Sequence, residues 1–110
     1  MHVITRKRLL EFAKAYPDAA PPLNSWFRVM KATRFMNAAA VKQTFGTVDF
    51  PGKNLAVFDI GGNKYRLITY IRYSTSTNVG RVWIRHVLTH VEYDRWSDDF
   101  RKRKSKKGKN

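Results

Sequence analysis

Arg66 and Arg72 lie in one apolar, β-branched run and Arg85 in the next, and His90 and Tyr93 follow that second run at once. A guanidinium grips two phosphate oxygens together, an imidazole exchanges protons near neutral pH, and a phenol can stack on a base or donate its hydroxyl proton. Such a set can hold a phosphodiester, move protons on either side of it and stabilise the charge that builds as it reacts. Lys64 adds a cation where the first run begins. Tyr70 and Trp83 interleave with the arginines, as a surface that holds phosphates and stacks bases requires. An ordinary solvated sheet face also carries charge, but usually of mixed sign.

The segment Arg85-His86-Val87-Leu88-Thr89-His90-Val91-Glu92-Tyr93-Asp94 reads as a strand entering a capped helix. Thr89 with Glu92 three positions on is a capping-box pattern, so Thr89 is the N-cap. His90 and Tyr93 then sit at a helix start, where unpaired backbone N–H groups favour anions. His90, Tyr93 and Trp96 can equally form that helix's buried stripe. Glu92 is assigned to the cap and Asp94 to the helix dipole or an arginine partner.

Behind these residues three strands are expected, Leu55 to Ile60, Tyr65 to Tyr73 and Arg81 to Leu88. Gly61-Gly62-Asn63-Lys64 makes the first connection a tight hairpin. Alternation puts Arg66, Ile68, Tyr70 and Arg72 on one face, with Arg81, Trp83, Arg85 and Val87. Tyr65, Leu67, Thr69 and Ile71, with Val82, Ile84, His86 and Leu88, read as the core face. Before them, Met1 to Ile4 reads as a first or edge strand, and Thr5 as the cap of a helix stopped at Tyr16-Pro17-Asp18. Pro21-Pro22 starts a second helix burying Trp26, Phe27, Val29 and Met30. Asn37 caps a third to about Phe45, and residues 46–54 form a loop. The fold class is α+β: N-terminal helices packed on an antiparallel sheet, then a short closing helix that fades near Phe100.

At 110 residues with 43% hydrophobic side chains the chain is sized for one core. Its net charge is +14. Residues 101–110 hold seven of the 22 positive charges and no apolar side chain, and are expected to be a disordered basic tail. Residues 1–100 keep a net +7, so the folded part itself is basic and should bind polyanions in a salt-dependent way. No cysteine is present, which excludes disulfides and thiolate chemistry. No apolar run reaches membrane-spanning length, no signal peptide is visible, and a cytoplasmic location is expected. Three histidines and no acidic cluster predict no metal site and no cofactor.

The run Gly61-Gly62-Asn63-Lys64-Tyr65-Arg66-Leu67-Ile68, followed by Ile84 to Asp94 with its Thr-His-x-Glu-Tyr-Asp core, resembles the HigB family of type II toxin–antitoxin toxins. Met1-His2-Val3-Ile4-Thr5 and the Tyr16-Pro17 break are similar to that family's N-terminus. The resemblance covers residues 1–100 and leaves the tail outside. It implies a RelE-like domain that cuts mRNA, typically on the translating ribosome, and a HigA-like antitoxin with a helix-turn-helix as partner. Arg66 matches the arginine that holds the scissile phosphate, and His90 and Tyr93 match the C-terminal pair. Lys64 is set against a catalytic lysine, while strand alternation, apart from the resemblance, has Arg72, Arg85, Tyr70 and Trp83 facing RNA. His86 has no place in the motif and reads as a core histidine. Two other readings stay open: a non-catalytic RNA- or ribosome-binding module, and a basic module that binds an acidic protein.

Overall fold

In a computed structural model, residues 1–108 are described. The end of the expected tail, residues 109–110, lies outside the described residues. The elements run β1 (His2–Ile4), α1 (Lys7–Ala15), a 3-10 turn at Pro17–Ala19, α2 (Ala20–Ala32), α3 (Ala38–Thr44), β2 (Leu55–Ile60), β3 (Tyr65–Arg72), β4 (Arg81–Thr89) and α4 (His90–Gly108). The sheet order is β1-β4-β3-β2. β2, β3 and β4 form the expected antiparallel meander, while β1 joins β4 in parallel, so the sheet is mixed rather than purely antiparallel. A first strand brought back after three helices can dock beside the last in either direction, and no local sequence pattern selects one.

Gly61 and Gly62 take positive φ, which lets the β2–β3 connection close tightly and fixes Ile60 opposite Tyr65 and Asp59 opposite Arg66. One sheet face packs against the helices. Phe58 meets Trp26 edge-on at 5.4 Å and Phe45 at 5.0 Å, within a closed cluster that includes Leu23, Met30 and Val41. Removing a ring from such a cluster costs about 3–5 kcal/mol. Proline at the start of α2 and the Asn37 side chain, which accepts from Ala40 N–H at 2.8 Å, set the helix starts as expected.

Thr5 behaves differently from its expected role as a cap. It adopts φ 68°, a strained value for a β-branched residue. Its hydroxyl donates to the Ile84 carbonyl at 2.9 Å and accepts from the Ile84 N–H at 3.1 Å. The hydroxyl thus takes over the β1–β4 pairing where β1 ends, and turns the chain into α1.

β3 and β4 change register between Ile68 and Thr69: Thr69 pairs with Ile84 but Ile68 pairs with His86. Arg85 is therefore the extra residue of a β-bulge. One inserted residue exchanges the faces of everything beyond it. Val87 turns into the core, and His86 and Leu88 come out on the arginine face. His86 is exposed, not a core histidine.

The closing helix is also not short. α4 continues past Phe100 through residues rich in Lys and Arg, and its Tyr93, Trp96 and Phe100 stack successively at 5.9 Å and 5.1 Å. Phe100 reaches the loop at Gly52, where an added Cβ would meet its ring at 3.1 Å. Val57 and Ile68, on the arginine face, are buried outside the main core cluster, so α4 closes the β2 side of that face.

Candidate active site

The ladder between β3 and β4 ends where α4 begins. Thr89 lies opposite Tyr65, and His90 N–H donates to the Lys64 carbonyl at 3.1 Å. The capping box then closes in both directions: Thr89 N–H to Glu92 Oε1 at 2.9 Å, and Glu92 N–H to Thr89 Oγ1 at 3.3 Å. These bonds set the direction of the first turn. That turn puts the Tyr93 ring over the Arg66 guanidinium, 5.6 Å from carbon to centroid.

Arg66 is held from three sides. Asp59 Oδ1 lies 3.1 Å from its Nε. Its Nη1 donates to the carbonyls of Asn63 and Tyr65, both at 3.2 Å, and its Nη2 to the Asn63 side-chain oxygen at 3.1 Å. A guanidinium carries five N–H groups, so one on Nη2 is left for a ligand. The side chain is only 11% exposed. Arg66 is thus a cation fixed in place before any substrate arrives.

The Tyr93 hydroxyl is pushed above its ordinary pKa by partial burial, with Asp49 and Asp59 adding to this and Ser97 and Arg66 opposing. It stays protonated at neutral pH and is a donor. His90, more than half exposed, has Nε2 3.7 Å from Asp94 Oδ2. His90 and Tyr93 are i and i+3 neighbours, so imidazole and phenol rise side by side from the first turn. Asp94 is a histidine partner rather than an arginine partner.

The Lys64 amine is not brought to Arg66. It lies 3.0 Å from Asp18 Oδ2, and the Tyr65 hydroxyl donates to the other oxygen of the same carboxylate at 2.6 Å. Hydrogen bonds from Tyr65 and Lys64 hold the Asp18 carboxyl below its usual pKa, and the same carboxylate pushes Tyr65 up to about 12. Lys64 contributes to the site through its carbonyl, which receives His90.

Further along the same face a second group forms. Tyr70 and Trp83 are cross-strand partners with ring centroids 5.6 Å apart, and the Arg85 guanidinium sits 5.7 Å from the Tyr70 centroid. Asn54 steadies the Tyr70 hydroxyl at 3.1 Å. Arg72 lies opposite Arg81 and both are exposed. Among the described residues none of Arg72, Arg81 and Arg85 has an acidic partner. No group of three or more His, Asp or Glu side chains that could hold a metal ion is gathered among the described residues.

The HigB_toxin family, described as the RelE-like toxic component of a toxin–antitoxin system, matches residues 19–96. The chain belongs to the HigB toxin family. It is similar to the mRNA interferase HigB of Escherichia coli O6:H1 (strain CFT073), 34% identical over 106 residues that cover 94% of this chain and 99% of that protein. It is also similar to the mRNA interferase toxin HigB of Escherichia coli K12, 30% identical over 97 residues, 86% of this chain and 88% of the other. As a HigB-family member it has a RelE-like α+β fold, with an antitoxin as its family counterpart. No described helix is long and apolar enough to cross a membrane.

Three residues that the structure brings to this face or its edge, Asp59, His86 and Arg8, are absent from the expected residue set. Asp59 was legible, because a hairpin turning at residues 61–64 must put it opposite Arg66. His86 was hidden by the bulge. Arg8 on α1, which donates through Nη1 to the Arg85 carbonyl, carries no local signal because its partner is 77 positions away.

Proposed function

We propose that this chain is an endoribonuclease toxin that cuts mRNA, using the RNA's own 2′-OH as nucleophile and no metal. The 2′-oxygen forms a bond to the adjacent phosphorus while the bond to the 5′-oxygen breaks, leaving a 2′,3′-cyclic phosphate and a 5′-OH. His90 accepts the 2′-OH proton, and Tyr93 donates its hydroxyl proton to the departing 5′-oxygen. Exchange with water then resets both groups. Arg66 stabilises the extra negative charge on phosphorus through its remaining Nη2 hydrogen and its fixed position. Arg72, Arg85, Tyr70 and Trp83 bind the flanking RNA. Lys64 acts through its backbone carbonyl on His90, not as a proton carrier.

The observation that carries this reading is the Tyr93 ring held over an Arg66 that Asp59 and Asn63 immobilise, beside an exposed imidazole. The mRNA interferase names of the relatives support the substrate. On this reading the message is cut on the translating ribosome, and a HigA-like helix-turn-helix antitoxin neutralises the toxin. The contacts that occupy Arg66 favour a second reading, in which it only braces the hairpin and the face binds RNA without cutting it.

Primer extension on translated mRNA after induction separates the two. Wild type should give discrete cuts, and His90→Ala and Arg66→Ala should each lower cleavage by about 10²-fold or more. No cuts with wild type would refute the enzyme reading. Normal cutting by both variants would refute the assignment of these residues.

A further inference from the structure

Tyr70, Trp83 and Arg85 of the second group line, with Thr5, Arg8 and Ile84, a cleft of about 370 Å³. Its volume falls in the range of ligand-binding clefts. Tyr70 and Trp83 give it aromatic rings, Arg8 and Arg85 give it cations, and no carboxylate lines it. Two features build this composition. The bulge at Arg85 removes that residue from the ladder, which leaves its carbonyl for Arg8 Nη1 and its guanidinium over Tyr70. Strained Thr5 pins Ile84 just before the bulge and directs α1 so that Arg8 reaches it.

The cleft is separate from the Arg66 site. Arg66 and Tyr70 are four residues apart on β3, about 13 Å at 3.3 Å per residue. One phosphate cannot serve both, and a strand that fills both must be longer than a dinucleotide.

We infer that this cleft is a nucleotide subsite for single-stranded RNA flanking the cut, with the phosphate on Arg8 and Arg85 and the base on Tyr70 and Trp83. It rests on the proposed RNA-cleaving function and extends it. A guanidinium pair fixes a phosphate at a set place, and an aromatic pair accepts a base by stacking with modest sequence preference. An acidic peptide would satisfy the cations but makes no use of the half-buried aromatic rings that line the cleft. The bases of an unpaired strand use both.

The test compares equilibrium binding of a 2′-O-methyl dinucleotide and a 2′-O-methyl hexanucleotide to the full chain. Neither probe can be cut by 2′-OH attack. Wild type should bind the hexanucleotide at least about tenfold more tightly. Arg8→Gln and Trp83→Leu should each remove most of that advantage, and Arg8→Gln should flatten the salt slope of the hexanucleotide by about 0.7. Lys14→Gln takes the same charge from the exposed face of α1 outside the cleft, and should leave the length advantage intact. Circular dichroism of each variant checks that the fold is kept. The inference is overturned if Arg8→Gln and Trp83→Leu keep the advantage, or if Lys14→Gln loses as much as Arg8→Gln. It is also overturned if a Glu-rich peptide binds with the same dependence on Arg8 and Trp83. Cleavage of translated mRNA by wild type is read in parallel. A failure there, with the length advantage intact, removes the cleavage reading while the nucleotide subsite stands.

Discussion

The two arginine groups on one sheet face are built in opposite ways. At the hairpin end Arg66 is shielded by α4, paired with Asp59, and held by Asn63. At the bulge end Arg72, Arg81 and Arg85 are exposed, and no carboxylate among the described residues neutralises them. Arg72 and Arg81 even face each other across strands, an arrangement that costs stability in the free protein. A group that must meet a transition state has to be fixed in advance, and its neighbours do the fixing. A group that collects a polyanion needs only unspent charge. The difference between the ends is a difference between a positioned cation and an available one.

Asp59→Ala is the strongest way to break this comparison. If immobilisation matters, freeing Arg66 should lower the single-turnover cleavage rate by about 10²-fold while RNA affinity rises or holds. A faster rate would mean that Arg66 needs charge alone. Arg72→Glu probes the other end, with a smaller effect. RNA binding should weaken by about tenfold at low salt, and denaturant unfolding should gain up to about 1 kcal/mol from the new pair with Arg81. Binding lost without a stability gain would show that the two side chains do not interact.

Thr89→Ala tests the joint between the sheet and α4. It should cost about 1 kcal/mol in chemical denaturation. Because the cap directs the turn that bears Tyr93, cleavage should fall further than unfolding does.

Asp18 gives the mildest effect, on pH dependence alone. Its carboxyl is held below the usual value, so the stabilisation it provides is complete above its unfolded pKa of about 3.9. That stabilisation disappears as the pH falls through the lower folded-state value. Thermal melts from pH 5 to pH 2 should therefore slope less steeply for Asp18→Asn than for wild type.

Much of the hairpin end was legible because it is local. Strand limits near Leu55, Tyr65 and Arg81 followed from β-branched runs between turn residues. The Thr89–Glu92 box lies within four positions; Asp59 is absent from the expected set, although the register of the Gly61-Gly62 turn joins it to Arg66. The bulge end was not legible, since Arg85 and His86 are both polar and either can be the inserted residue. What decides it is the tie from Thr5 and Arg8, and those contacts span nearly eighty positions. The length of α4 is not legible for a different reason. Lys and Arg are good helix formers, and a helix already nucleated and packed can extend without an apolar face of its own.

The three tryptophans fall one to each part of this design. Trp26 is sealed in the core with its Nε1 unpaired, Trp83 lines the bulge-end cleft, and Trp96 is sandwiched between Tyr93 and Phe100. The molecule thus contains its own set of optical reporters. Single-tryptophan versions would let the emission of one ring follow unfolding, another report whether RNA enters the cleft, and the third report whether α4 stays packed on the sheet.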